Sequence, residues 1–154
     1  MSTTELRIRP AKKEDQKFIR KIIRRARLNP LGVHWPTFVI AQKPNGDFLG
    51  CAQIKDHRDG CSELASLYVD PAHRGRGIAA AIIRYFLSQA QSDLWLTCRS
   101  GLVPLYQSFG FVEIGDPSRM PAYFRRVWRL FNGLTRWSPQ LERLAVMWWK
   151  KTVV

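Results

Sequence analysis

Acidic residues, cysteines and histidines are all scarce in this sequence. The 154 residues contain 12 aspartates and glutamates against 25 lysines and arginines, with three cysteines and three histidines. Three cysteines cannot all pair with one another, and none of them stands in a CxxC spacing, so we expect reduced core thiols rather than a disulfide framework. The histidines are scattered without the spacing of metal ligands, and we expect no metal site.

Long apolar runs are also missing. No segment approaches the roughly 20 apolar residues that a membrane-spanning helix needs, and residues 1–9 lack the apolar stretch of a secretory signal. These absences predict a cytoplasmic protein. The apolar content of 45% and the length are those of an ordinary globular chain, and a single domain over residues 1–154 is expected.

The formal net charge of +13 is concentrated in two stretches, one around residues 12–27 and the other from residue 119 to residue 151. A positive field attracts anionic ligands such as a nucleotide phosphate, a nucleic acid or an acidic protein surface. The same residues also form an ordinary solvated face in many proteins. Charge alone therefore leaves the partner open.

Hydrophobic periodicity predicts an α+β protein with a mixed, mostly antiparallel sheet of about six to seven strands flanked by helices. The antiparallel strands come first, and a βαβ unit follows. The predicted strands cover residues 6–9, 37–42, 48–56, 63–69, 94–98, 111–114 and 144–149. The predicted helices cover residues 14–28, 78–90, 103–109 and 121–134.

A glycine-rich loop between the fourth strand and the second helix carries the main functional signal. Gly75 and Gly77 permit backbone conformations closed to other residues and keep side chains out of a ligand's path. The loop opens directly into a helix, whose first amides have no partner within the helix. Such amides can surround a pyrophosphate, and Arg74 and Arg76 add positive charge beside them.

The spacing in this loop resembles the acetyl-CoA-binding motif of the GNAT superfamily of N-acetyltransferases. Arg74-x-x-Gly77-x-Ala79 fits the Arg/Gln-x-x-Gly-x-Gly/Ala signature. The segment 105–111, Leu-Tyr-Gln-Ser-Phe-Gly-Phe, and the first strand, Ile-Arg-Pro-Ala at residues 8–11, are also similar to that family. The resemblance covers a core of about residues 5–115 and leaves a C-terminal helix and last strand in residues 116–154.

The resemblance implies transfer of an acetyl group from acetyl-CoA, as co-substrate, to a primary amine by direct attack in a ternary complex. It assigns Tyr106 as the acid that protonates the departing thiolate and Glu63 as the candidate base. A glutamate at a strand terminus is more often simply solvated, and that alternative stays open. The implied acetyl-CoA-binding residues are Leu67, Tyr68, Val69, Arg74, Gly75, Arg76, Gly77, Ile78 and Ala79.

The acceptor is left open by the sequence. Members of this family often have Asn seven residues before the tyrosine, where this chain has Arg99. The expected acceptor segments, 29–36 and 116–144, suit either an arylalkyl amine or a lysine or N-terminal amine on an acidic protein surface. The alternative is a non-catalytic module that binds acyl-CoA, nucleic acid or an anionic surface, although nucleic acid is not the partner we favour. Monomer and homodimer are both compatible with the sequence.

Overall fold

The computed structural model describes residues 5–135 and 142–152 of the chain. In that part of the chain, seven β-strands and four α-helices lie close to the predicted positions. The strands are β1 (Arg7–Pro10), β2 (Phe38–Gln42), β3 (Phe48–Asp56), β4 (Ser62–Val69), β5 (Leu94–Arg99), β6 (Val112–Ile114) and β7 (Leu144–Trp149). The helices are α1 (Gln16–Arg25), α2 (Ile78–Gln89), α3 (Val103–Gln107) and α4 (Ala122–Thr135).

The strands are hydrogen-bonded in the order β1-β2-β3-β4-β5-β7-β6, so the sheet is open. β1 pairs with β2, and β2 with β3, in antiparallel register. β4 and β5 pair in parallel at their first residues, with α2 between them in the chain. β7 lies antiparallel to both β5 and β6. The predicted α+β fold with a mixed sheet and a βαβ unit is confirmed.

The first of two compact units comprises the described residues up to Lys55 together with Leu64–Gln89. Its core is built on one face of α1, where Ile19 and Ile23 are fully buried against Phe38, Ile40 and Cys51. The basic residues of α1 lie on the opposite, exposed face. This is the pattern of an amphipathic helix that covers a sheet.

The second unit comprises Asp56–Glu63 and the described residues from Ala90 onward. Phe124 of α4 is fully buried, together with Ile114 and Val146 of two strands. Trp128 and Trp148 are half-buried against this cluster. Trp35 packs in the same way against the core of the first unit. Trp137 lies outside the described residues, as does part of the predicted acceptor segment 116–144.

Helix α1 ends three residues earlier than periodicity predicts. Arg27 has a left-handed backbone with φ 55°, its amide bonds to the carbonyl of Arg24, and the amide of Leu28 bonds to the carbonyl of Ile23. This pattern is a Schellman motif, which usually has glycine at the left-handed position. Because this residue is arginine and not glycine, the sequence does not indicate that the helix ends here. Within the described segments, no helix has both the length and the apolar content needed to cross a membrane.

Candidate active site

The second half of β4 departs from regular strand geometry at Ser66. This residue has φ 59°, the left-handed region that is uncommon for residues other than glycine. The side chain of Gln53, fully buried on β3, donates to Ser66 Oγ at 2.8 Å and accepts from Thr37 Oγ1 at 2.7 Å. Because a buried amide without partners is costly, this chain of bonds holds the irregular backbone in place.

The three predicted cofactor residues that follow Ser66 remain in the strand. Leu67, Tyr68 and Val69 are half-buried, and Tyr68 stacks on Phe48 with ring centroids 6.2 Å apart. The strands approach so closely here that a Cβ at Gly50 would lie 2.6 Å from the carbonyl oxygen of Tyr68. β4 therefore enters the loop with its main chain fixed by β3.

The loop after β4 has the geometry that the motif predicts. Gly75 and Gly77 have φ 76° and φ 79°, and a Cβ on either glycine would meet no atom within 4 Å. Arg74 donates through Nε to the carbonyl of Val69 at 3.1 Å, which ties the loop back to the strand. The open space at both glycines is the kind of cradle that a phosphate group requires.

Helix α2 begins at the far side of this loop. Its first backbone bond runs from the amide of Ala81 to the carbonyl of Gly77, and the amides that precede Ala81 are the ones that lack partners within a helix. Ile78 is buried and anchors the helix start, whereas Arg74 and Arg76 are exposed beside it. Exposed amides, a helix dipole and two guanidinium groups suit a pyrophosphate. The residues present therefore fit the diphosphate of coenzyme A.

Glu63, the candidate base, is buried rather than solvated. Only 6% of the residue is exposed, and its Oε1 lies 2.9 Å from Nε2 of His57. The alternative of a solvated strand-terminal carboxylate is therefore wrong. His57 was missed as a functional candidate because the sequence shows only its isolation from other histidines. The sequence feature that could have identified His57 is the tight turn at residues 58–60, which brings the side chains of His57 and Glu63 together.

Tyr106, the candidate acid, is also buried. It is 7% exposed and lies at the end of α3, where it meets Phe111 edge to face with centroids 5.9 Å apart. Burial, with a smaller contribution from the Cys98 thiol, raises the pKa of the phenol above its ordinary value. The Tyr106 hydroxyl therefore keeps its proton at neutral pH.

The three cysteines are free thiols with suppressed nucleophilicity. Burial raises the pKa of Cys51 to about 12 and, together with Asp59, that of Cys61 to about 12. Burial and then the charge of Glu113 raise the pKa of Cys98 to about 11. Since the thiolate is the reactive form, none of them is activated for acyl transfer. Among the residues that the structure describes, no group of three or more His, Cys, Asp or Glu side chains is arranged to hold a metal ion.

A cavity of about 530 Å³ lies in the second unit, and the predicted site residues do not line it. Its walls are Asp59, Gly60, Cys61, Gln91, Ser92, Asp93, Trp95, Pro121 and Lys151. In this wall, Asp93 accepts from Trp148 Nε1 and from the Lys151 amide.

Sequence comparison decides the family. The profile described as acetyltransferase (GNAT) family matches residues 5–111, which include β4, the glycine loop, α2 and Tyr106. The chain belongs to the GNAT acetyltransferase family. The predicted resemblance is confirmed, and with it acyl transfer from acetyl-CoA, as co-substrate, to an amine-bearing substrate as the family's chemistry.

Solved structures agree with this GNAT assignment at the level of the fold. N-acetylglutamate synthase from Neisseria gonorrhoeae, complexed with coenzyme A and N-acetyl-glutamate, matches 96% of this chain with TM-score 0.73 and 20% identity. Rv2747 from Mycobacterium tuberculosis, complexed with CoA, matches 94% of this chain and 98% of its own length, with TM-score 0.69 and 20% identity. The ribosomal-protein-S18-alanine N-acetyltransferase from Escherichia coli matches 97% of this chain and 96% of its own, with TM-score 0.67 and 18% identity.

This GNAT chain spans only 35% of the length of the Neisseria enzyme. The structural similarity therefore concerns one acetyltransferase domain and not that whole protein. At these identities the similarity establishes the fold, and the acceptor of this chain has to be argued from its own residues.

Proposed function

We propose that this GNAT protein transfers the acetyl group of acetyl-CoA to a primary amine by direct attack of the amine in a ternary complex. The observation that carries the proposal is the loop at Arg74–Ala79, where two left-handed glycines open onto the start of α2. The co-substrate supplies an activated thioester. The protein's task is then to bind it, orient it and move one proton from the amine and one to the leaving sulfur.

In this proposal, acetyl-CoA is bound largely through backbone groups of the protein, with two arginine side chains beside them. The amides at the start of α2 and the side chains of Arg74 and Arg76 hold the diphosphate. Leu67, Tyr68 and Val69 contact the pantetheine arm through backbone groups, and one of these N–H groups donates to the thioester oxygen. The fixed backbone around Ser66 supports this role, because preorganised donors need no rearrangement during the reaction.

Proton transfer is assigned to two buried side chains. Glu63 accepts the proton of the amine, and Tyr106 donates the proton of its hydroxyl to the departing thiolate. Burial raises the pKa of Tyr106, so the hydroxyl carries its proton before the thiolate departs. The raised pKa values of all three thiols favour direct attack over an acyl-cysteine intermediate.

Two classes of primary amine are proposed as the acceptor. The segment 29–36, in which Leu31 is 73% exposed, suits an arylalkyl amine. The basic surface equally suits a lysine or N-terminal amine of a protein whose surface is acidic. The protein acts as a monomer or a homodimer.

The test replaces one glycine of the cradle and one matched glycine elsewhere. Gly77→Leu places a side chain in the open space of the loop, whereas Gly46→Leu changes a turn glycine with φ 96° and equally open surroundings. Both variants carry the strain of a left-handed residue, roughly 1–2 kcal/mol. We expect calorimetry to show coenzyme A binding at least about tenfold weaker for Gly77→Leu, a loss of about 1.4 kcal/mol, and unchanged binding for Gly46→Leu.

Two results would overturn the proposal. One is a wild-type protein without affinity for coenzyme A, and the other is equal affinity in the two leucine variants. A coenzyme A release assay over 2-phenylethylamine, a lysine peptide and a peptide with a free N-terminal alanine then separates the acceptor classes.

A further inference from the structure

The proposed base has a partner that the family motif does not include. The Glu63 side chain is 7% exposed and that of His57 is 17% exposed, with Oε1 and Nε2 2.9 Å apart. A buried carboxylate without a donor is costly, and an ionised carboxylate can only accept hydrogen bonds. With Glu63 ionised, Nε2 of His57 must therefore carry the proton of this bond.

Two aromatic side chains of α4 confine the imidazole ring of His57. The ring of Tyr123 stacks on it with centroids 3.7 Å apart and planes at 17°. The ring of Phe124 meets its edge at 6.1 Å and 81°. A ring held on its face and on its edge has little freedom to rotate away from Glu63.

Helix α4 is itself firmly attached to the same turn. The carboxylate of Asp59, two residues after His57, accepts from the backbone amide of Tyr123 at 3.0 Å. Phe124 is fully buried in the core of this unit. The helix lies outside residues 5–111, which the family profile matches, so these contacts are an addition to the motif that defines the family.

We propose that His57 is a positioning residue for Glu63 and that Tyr123 and Phe124 hold His57 in place, which makes α4 part of the catalytic apparatus. This inference rests on the proposed function, in which Glu63 is the base. The proton of the amine passes to the Glu63 carboxylate, while His57 keeps its Nε2 proton throughout. His57 therefore sets where the carboxylate oxygen stands and is not consumed in the reaction.

A double-mutant cycle tests the coupling. His57→Phe keeps an aromatic ring against Tyr123 but removes the bond to Glu63, and Glu63→Gln removes the charge that the bond orients. We expect His57→Phe to lower kcat roughly 10- to 100-fold, the scale of a misplaced catalytic group, with KM and Kd for acetyl-CoA unchanged. Added to Glu63→Gln, it should cause no further loss, because coupled residues are not additive.

Two further variants separate positioning from packing. His57→Gln retains an N–H donor for the carboxylate and should recover part of the rate that His57→Phe loses. Tyr123→Leu removes the stacked ring and should lower kcat in the same direction. Arg58→Gln, at an exposed position next to His57 in the same turn, is the matched control and should behave as wild type. Circular dichroism confirms that each protein is folded at the assay temperature.

The assay measures coenzyme A release to 2-phenylethylamine, to a peptide with a free N-terminal alanine and to water alone. The inference fails if His57→Phe matches wild type, if its loss multiplies with that of Glu63→Gln, or if His57→Gln is as slow as His57→Phe. If the wild-type protein binds coenzyme A and the variants give any of these results, the inference alone is overturned. A wild-type protein that releases no more coenzyme A to either amine than to water overturns the proposed function, and the inference with it.

Discussion

At the scale of single residues, the proton on Tyr106 is the most directly testable part of the mechanism. Tyr106→Phe removes the hydroxyl and leaves the ring that packs on Phe111. We expect the rate to fall by about 10²- to 10⁴-fold, as for loss of a general acid. Because burial raises the pKa of the phenol above its ordinary value near 10, the hydroxyl is protonated throughout neutral and mildly alkaline solution. The ratio of wild-type to variant rates should then stay constant from about pH 7 to pH 10.

The measurement is coenzyme A release as a function of pH, and thermal unfolding of both proteins controls for stability. A ratio that declines toward one before pH 10 would show a phenol that loses its proton, which contradicts the direction of the shift. A fully active phenylalanine variant would remove Tyr106 from the mechanism.

The residues that the sequence predicts best are those whose function depends on local backbone. Gly75 and Gly77 take the left-handed conformations that the motif implies, because loop geometry is encoded within a few residues. The bond between His57 and Glu63, and the bond of Gln53 to Ser66, were not predicted. The Gln53–Ser66 bond depends on how two strands come together. The His57–Glu63 bond spans the turn at residues 58–60, and the sequence pattern shows the turn but not which side chains it brings into contact.

At the scale of elements, Asp59 links the β3–β4 turn to helix α4 and gives that link a dependence on pH. Its carboxylate accepts from Cys61 and from the Tyr123 amide, bonds that lower its pKa from 3.8 to about 2, with the Cys61 side chain the largest cause. A lowered pKa means that the folded state favours the ionised form. The stabilisation is therefore complete above pH 3.8 and is lost as the pH falls through about 2.

Asp59→Asn should remove this contribution. We expect a loss of about 0.5 kcal/mol near neutral pH, the scale of a single charge at a helix N-terminus, because the Asn amide oxygen still accepts a hydrogen bond. This corresponds to roughly 1–2 °C in Tm for a chain of this size. The difference in Tm from wild type should shrink as the pH falls from about 4 to 2. Thermal unfolding at low salt measures this difference in Tm, since the Asp59 carboxylate is exposed and salt would screen its charge. Asp47→Asn, in the β2–β3 turn, is the control, and an Asp59→Asn deficit that stays the same at all pH values would contradict the assignment.

The elements themselves were largely predictable because strand alternation and helix periodicity follow from burial on one face. Helix α1 is the exception. The sequence predicts a helix to residue 28, just before Asn29 and Pro30, whereas the helix stops at Arg25 through the left-handed Arg27. Tertiary packing of Leu28 against the core favours that early turn, and a local reading of helix signals does not include such packing.

At the scale of the whole molecule, the net charge of +13 acts on any anionic ligand before contact. Such a field raises the rate of association by roughly 10- to 10³-fold, and salt removes the effect. The exposed basic residues of α1 contribute to the overall field, whereas Arg74 and Arg76 belong to the proposed diphosphate site. These two groups of charges therefore predict different kinetics.

Neutralising Lys17, Arg20, Lys21 and Arg24 together to glutamine should slow the association of coenzyme A several-fold and leave its dissociation rate unchanged. Arg74→Gln and Arg76→Gln should instead raise the dissociation rate, because a buried or closely held charge contact acts on the bound complex. Stopped-flow measurements between about 0.05 M and 1 M salt separate the two cases, since the Debye length falls to about 3 Å at 1 M. The wild type and the α1 variant should converge at high salt. If they differ equally at every salt concentration, the basic face of α1 acts by contact rather than by its field.

A short RNA duplex titrated under the same conditions tests the alternative function. Saturable RNA binding whose affinity falls steeply with salt, and which the α1 variant loses, would assign that face to nucleic acid instead of to the recruitment of acetyl-CoA.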